Sequence, residues 1–256
     1  VPPRAAFLRL QPQTSERRAH TLLRASIRDG LISPGDQLVE DALVRALATS
    51  RNSVRKALQM LVDERMVTRQ PHHGTRVVSG IRRVSLDQPN LRAVLQPAGP
   101  GHVVWSRLER QTVPAPQVVA AKLEVEPGTR LLVTEHLLTL DDEPYALRVG
   151  YQRARPEGVD PDRGAGPDVE QEAIADILDV YSRTRSTLAT IEAVACDARA
   201  AELLGMTAGS PVLLHEMLLV GEDGTPEELS YNSYRTGRVA LSASSTVVAP
   251  FIVDAG

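Results

Sequence analysis

The stretch of this sequence best equipped for chemistry is Ser50-Arg51-Asn52-Ser53-Val54-Arg55-Lys56-Ala57-Leu58. Read as a helix, it sets Asn52, Arg55, Lys56 and Gln59 at i, i+3, i+4 and i+7 along one side. Val54, Ala57, Leu58, Leu61 and Val62 form an apolar stripe along the other. Ser50 is suited to cap its start, with Arg51 and Ser53 in the first turn. A helix N-terminus already presents unpaired N–H groups and a partial positive charge, so cations there are disfavoured unless an anion faces them. A DNA phosphate is such an anion. Arg and Asn are also the side chains that read guanine and adenine edges in the major groove, each good bidentate contact being worth roughly 1–3 kcal/mol of discrimination. A solvated basic face is the competing reading for this stretch alone.

The neighbouring elements decide between them. Residues 15–29 read as a helix with Leu22, Leu23, Ala25 and Ile27 on its apolar side, and the Ser-Pro-Gly-Asp turn at 33–36 ends it. A second helix is expected from about Glu40 to Ala48, its apolar positions being Ala42, Leu43, Ala46 and Leu47. The tight turn Ala48-Thr49-Ser50 leads into the basic helix, about Arg51 to Glu64. Residues 66–79, with Pro71 and Gly74 as turn formers, read as a small hairpin. Helix, helix, tight turn, helix, hairpin is the order of a winged helix-turn-helix.

Charge follows the same division. Residues 1–83 carry a balance of +8, and the remainder carries −11, within a net charge of −3. That asymmetry points to a nucleic-acid-binding part joined to something else. The chain is 42% hydrophobic with 3% aromatics, so its core is aliphatic. The single cysteine, Cys196, excludes an internal disulfide framework and a Cys-based zinc module, and reads as buried packing. No apolar run approaches the ~20 residues of a membrane helix, and no signal-peptide pattern opens the chain; a cytoplasmic protein without a membrane partner is the expectation.

Three segments are expected: a winged helix-turn-helix over 1–79, of which roughly residues 1–13 are an extension; a Pro/Gly-bearing linker over 80–101; and a second domain over 102–250. The second domain contains a weak repeat. Leu123, Gly128, Glu135, Leu137 and Leu138 recur 81 residues on as Leu204, Gly209, Glu216, Leu218 and Leu219, and Pro144 and Leu147 recur 82 on as Pro226 and Leu229. Each copy reads as turn, strand, acidic turn, strand, and two such hairpins pair naturally in one antiparallel sheet. Between them lie a Gly/Pro-rich loop at 156–167, a helix near 171–181 and a strand over 187–195; Asp197 caps a short helix ending before Gly205. The fold class is α+β.

"SPGDQLVEDALVRALATSRNSVRKALQMLVDERMVTRQPHHGTRVV" resembles the N-terminal domain of GntR-family bacterial transcription regulators: a PGD turn, a Leu-rich helix, S-R-N-[ST]-V-R-x-A-L and a G-T-x-V wing. The resemblance implies DNA contact by Ser50, Arg51, Asn52, Ser53, Arg55 and, in the wing, His73, Gly74 and Thr75, with Lys56 on the same basic face. Two departures stand out. Asp41 occupies a position where the family commonly carries a DNA-contacting Arg, and His72-His73-Gly74-Thr75 stands where G-R-G-T is usual. A metal site at the two histidines lacks a third ligand nearby.

From about Val103 to Val248 the chain resembles the UTRA effector-binding domain of the HutC-type subfamily, on "PGTRLLVTEHLLTLDDEPYALRVGY", "TIEAVACDARAAELLGMTAGSPVLLHEMLL" and "GTPEELSYNSYRTGR". That resemblance implies a chorismate-lyase-like fold, a small molecule bound between sheet and loops, and a homodimer. It implies a pocket drawing on Ser106, Arg107, Arg148, Glu228, Ser230 and Tyr234, with His136 where sugar-phosphate binders often carry the first Arg of an R-x-R. Loss of both those cations argues against a phosphorylated sugar. Arg107 and Arg148 are expected to hold a carboxylate, which Arg grips bidentately. Trp105 is expected as core or pocket wall.

No glycine-rich phosphate loop, HExxH or CxxC pattern occurs, so no catalytic residue, metal or cofactor is expected. The function expected is a ligand-responsive transcription regulator, a repressor, on a double-stranded operator. A DNA-binding dimer with a ligand-free C-terminal domain and a lyase-like enzyme domain tethered to a DNA-binding module are the alternatives.

Overall fold

The computed structural model describes residues 15–70, 74–78, 80–86, 102–153, 177–178 and 180–243. The chain divides into two units, Val1–Ile81 and Arg82–Gly256.

The N-terminal unit contains α1 (Ser15–Arg28), α2 (Glu40–Ala46), α3 (Arg51–Asp63) and the antiparallel hairpin β1 (Val67–Gln70) and β2 (Gly74–Val77). Its core is the stripe of α3, where Val54, Ala57, Leu58 and Leu61 are fully buried, closed by Ala19, Leu23 and Ile27 of α1 and by Met66, Val67 and Val77. The stripe on α1 is narrower than expected, because Leu22 lies on the outer side. Helix α2 buries no residue completely: Leu43, Val44 and Leu47 are half-buried, while Ala42 and Ala46 face outward. The turn into α3 passes through Ala48 at φ 47°, and Ser50 then caps the helix by accepting from the Ser53 N–H at 3.1 Å. The Pro34-Gly35 turn is tied to the wing, since Gly35 N–H donates to Val77 O and Leu38 N–H to Thr75 O, both at 2.8 Å.

The C-terminal unit contains β3 (Arg82–Ser85), β4 (Val103–Pro114), α4 (Gln117–Leu123), β5 (Arg130–Leu140), β6 (Glu143–Arg153), β7 (Thr184–Ala195), α5 (Ala198–Leu203), β8 (Pro211–Gly221), β9 (Pro226–Arg235) and β10 (Val239–Ser242). Six of these strands form one antiparallel sheet in the order β4-β5-β6-β9-β8-β7, and β3 and β10 pair in parallel as a separate ribbon. The linker expected over 80–101 therefore contains a strand, β3; residues 87–101 lie outside the described residues, as does the loop at 156–167. Of the helix expected near 171–181, Ile177, Leu178 and 180–183 are described and helical.

The repeat runs through the architecture more fully than through the sequence. β4, α4 and β5 recur 81 residues on as β7, α5 and β8, the strands with the same start and end offsets and the second helix one residue shorter at its end. Each copy is strand, helix, strand, strand, and the two copies meet where β6 pairs with β9. The acidic turn of the first copy places Asp141 and Asp142 both at positive φ, the backbone of a two-residue hairpin turn; the second copy has Gly224 in its turn instead.

Strand alternation gives the sheet two unlike faces. One packs on the helices: Leu131 and Leu229 against Val119, Ala120 and Leu123 of α4, and Leu147 and Val212 against Ala200 and Ala201 of α5, where the buried Cys196 also sits. The other face carries Thr134, His136, Arg148, Gln152, Glu228, Ser230, Asn232 and His215, all buried. Leu229 is fully enclosed between sheet and α4. Leu229→Ala is expected to cost about 2–5 kcal/mol, and Ser50→Ala about 1 kcal/mol through the lost cap, both read from denaturant unfolding.

Candidate functional site

In the N-terminal unit the first two turns of α3 present Arg51, Asn52, Arg55 and Lys56 outward, all exposed, directly opposite the buried stripe. Ser53 departs from expectation. It is buried, and its Oγ lies 2.9 Å from the Ser50 Oγ, so it belongs to the cap rather than to the surface. In the wing Gly74 is exposed at φ 76°, but Thr75 is buried; His72 and His73 lie outside the described residues.

The exposed cations are not isolated. Arg51 Nη2 donates to Asp41 Oδ1 at 2.5 Å, and Arg55 Nε to Glu40 Oε2 at 2.8 Å. Lys56 Nζ reaches Glu16 Oε1 at 3.3 Å, and Arg69 approaches Glu40 at 3.6 Å. Exposed pairs of this kind contribute little to stability, about 0–1 kcal/mol each. Their consequence is orientation: two acidic residues at the start of α2 hold the two arginines of α3. Asp41, which stands where the family commonly carries an Arg, is thus the partner of Arg51.

In the C-terminal unit a cavity of about 40 Å³ opens on the polar face of the sheet. Trp105 and Leu138 form one wall, and His215, Met217 and Asn232 form another. Tyr145, Tyr181 and Tyr234 close it with Val84, Ser85 and Leu86 at the end of β3. Arg148 forms part of its lining. A single register row explains the polar part: Arg107 lies opposite His136, His136 opposite Arg148, Arg148 opposite Asn232, and Asn232 opposite His215.

Arg148 runs along β6 and places its guanidinium over Gly150, where a Cβ would stand 2.8 Å from Nη1. From there Nη2 donates to Glu228, whose other oxygen accepts from Gln152 Nε2 at 2.8 Å. All three side chains are buried. Nη1 has no hydrogen-bond partner, nor do the Trp105 indole N–H, the ring nitrogens of His136 and His215, or the hydroxyls of Thr134 and Ser230. Burial, with Arg148 and then Arg107 adding to it, pushes the His136 pKa down to about 3; burial pushes His215 down to about 4. Both rings are neutral at pH 7. His136 stands edge-on to Trp105 at 5.8 Å, behind the cavity wall. Burial raises the Tyr145 and Tyr181 hydroxyls to about 12 and raises Tyr234 as well.

Of the expected pocket residues, Arg148 and Tyr234 line the cavity. Glu228 and Ser230 lie beneath it, fully buried on the same face, and Arg107 flanks His136 without lining it. Ser106 sits opposite Leu137, whose side chain packs with the α5 cluster, so it belongs to the other face. His215, Asn232 and Met217 went unnoticed in the sequence, although "LLHEMLL" alternates so that Leu213, His215, Met217 and Leu219 share a face. Residues 84–86 gave no signal, because only the fold brings them to the sheet. Among the described residues no group of three or more His, Cys, Asp or Glu could hold a metal ion, and no helix is long and apolar enough to cross a membrane.

Residues 16–77 match the family described as bacterial regulatory proteins, gntR family, and residues 101–240 match the UTRA domain. The chain is 30% identical over 134 residues to the uncharacterized HTH-type transcriptional regulator YurK of Bacillus subtilis, covering 51% of this chain and 54% of YurK. It thus spans about half the length of that relative. It is 28% identical over 236 residues to the HTH-type transcriptional repressor PhnF of Mycolicibacterium smegmatis, covering 88% of this chain and 91% of PhnF. The crystal structure of PhnF from Mycobacterium smegmatis superposes with a TM-score of 0.59 at 23% identity, over 90% of this chain and 100% of that one, a likeness of fold.

The two neutral histidines give the C-terminal unit a pH dependence. Their folded pKa values of about 3 and 4 lie below the ordinary 6.5, so the unfolded chain takes up protons first as pH falls. The stability they contribute is complete above pH 6.5 and is lost below it. From pH 7.5 to 5 the loss is expected to be about 2 kcal/mol per histidine, seen as a lower urea midpoint, and His215→Phe should remove its share of that difference.

Proposed function

The chain belongs to the GntR-family regulators that carry a UTRA domain, and from this premise we propose that it is a transcription repressor whose operator affinity is set by a small molecule in the C-terminal unit. The HutC-type subfamily is the assignment that the resemblances favour. The observation that carries the DNA-binding reading is the start of α3: Arg51, Asn52, Arg55 and Lys56 exposed together, on a helix whose opposite side is buried without a gap. The repressor role is supported by the similarity to PhnF, a transcriptional repressor. A DNA-binding unit over 1–79, a C-terminal unit over 102–250 and a homodimer complete the reading. Two α3 helices then enter successive major grooves of a pseudo-palindromic site, about one helical turn apart. Such a regulator works in the cytoplasm, with no membrane partner.

Repression is relieved or strengthened only if the effector has different affinities for the DNA-competent and DNA-incompetent states, and the coupling is reciprocal. The cavity supports this effector role because its buried polar atoms without partners are a cost to the empty domain that a ligand can offset. The carboxylate expected at Arg107 and Arg148 is less well supported, since Arg148 already faces Glu228.

Fluorescence anisotropy on the DNA upstream of its own gene, at fixed moderate salt, tests the regulator reading. Arg55→Ala is expected to weaken specific binding by about 1–3 kcal/mol, while a phosphate-contacting Lys56→Ala lowers the salt slope by about 0.9. Asp41→Ala is expected to raise affinity for random-sequence DNA and narrow the gap between specific and random sites, because Arg51 loses a partner that both neutralises and orients it. Absence of any specific complex for the wild-type protein would overturn the proposal.

A further inference from the structure

The chemistry of the cavity follows from how its charge is already spent. Among the described lining residues, Arg148 is the one side chain ionised at neutral pH. Its guanidinium is committed to Glu228, fully buried, and fits above Gly150 because no side chain stands there. Arg82 lies over the Tyr145 ring, 5.8 Å from its centroid and within Coulombic reach of Asp141, and is not among the residues that line the cavity. A ligand entering the cavity therefore meets an ion pair rather than a lone cation. An incoming anion would surrender its hydration and meet the carboxylate of Glu228 together with the guanidinium, so its attraction is largely cancelled.

What the cavity lacks is hydrogen-bond partners of the uncharged kind. Arg148 Nη1 and the Trp105 indole N–H are buried donors without an acceptor, and the neutral His215 ring has one donor and one acceptor unmet. Leu138, Met217 and the rings of Tyr181 and Tyr234 supply an apolar surround. The 40 Å³ of space accommodates about three waters, which suits a ligand, or a ligand head group, of few atoms.

We propose that this cavity selects a small uncharged ligand bearing a carbonyl-type oxygen on an apolar body, such as an amide, ketone or ester, and discriminates against carboxylates and phosphate esters. The inference rests on the effector reading of the same site and adds its chemical class. Glu228 and Gly150 are then the specificity-determining residues. Glu228 cancels the charge that an anion would seek, and Gly150 leaves the space in which Arg148 can be held.

The test is a ligand-observed NMR titration of the full-length protein with three probes of matched size: butyramide, butyrate and ethyl phosphate. Butyramide is expected to bind at millimolar concentration at least fivefold more tightly than either anion. Tighter binding of butyrate or ethyl phosphate, or binding of none of the three, would overturn the proposal. Met217→Trp, which fills the cavity, should abolish butyramide binding; binding that survives it is elsewhere and counts against the site. Glu228→Gln should raise affinity for the two anions by about tenfold over wild type while the amide changes little, and unchanged selectivity in a folded Glu228→Gln protein would also overturn it. Operator anisotropy on the same preparation keeps the two readings apart. Specific DNA binding with an anion-preferring cavity sinks this inference alone, whereas loss of specific DNA binding sinks the regulator reading and leaves the probe series to decide this one.

Discussion

The pairing of β6 with β9 is the contact on which the C-terminal unit depends. It joins the two strand–helix–strand–strand copies into one sheet, and its register decides which side chains share a face. With Arg148 opposite Asn232 and Gln152 opposite Glu228, the polar residues of both copies collect on one side and the aliphatic ones turn to α4 and α5. A slip of β6 by one residue would send Arg148 into the helix-packed face and Leu147 out of it while Glu228 and Leu229 stayed in place, so register is held by both faces at once.

The buried Arg148–Glu228 pair is costly by itself, because desolvating two charges offsets much of their attraction, and breaking one half leaves a bare buried charge. It shares its face with the buried Thr134, His136, Gln152, Ser230, Asn232 and His215, and the proposed ligand selectivity draws on it. Gln152 completes Glu228, Gly150 makes room for the guanidinium, and Nη1 is left without an acceptor. The N-terminal unit follows a different logic. Its basic groups are exposed and held by pairs to Glu40 and Asp41 that water screens.

Much of this was legible in the residues. The apolar stripe of α3, the Ser50 cap and the Gly74 turn are local signals, and they place the exposed basic face without knowledge of the fold. The repeat was visible from Leu123 onward because both copies conserve a turn glycine and strand alternation; its first half, β4 with α4 against β7 with α5, was hidden because those strands sit at the sheet edges and share shape more than sequence. Strand β3 was read as linker because four residues paired only with the distant β10 carry no local pattern. At Ser53 a cap hydroxyl and a DNA-facing hydroxyl look alike in one dimension, and only the fold shows the side chain buried against Ser50.

By itself the sequence determined the two-part organisation, the charge asymmetry, the basic helix with its outward Arg51, Asn52, Arg55 and Lys56, and the hairpins of the sheet, since each follows from composition or from a periodicity within one element. Only the tertiary structure decided that Asp41 is the partner of Arg51, that Ser106 lies on the wrong face for the cavity, and that Arg148 is matched by Glu228, 80 residues away. Charge balance inside a protein is a property of what folding brings within a few ångströms, and spacing along the chain carries no record of it.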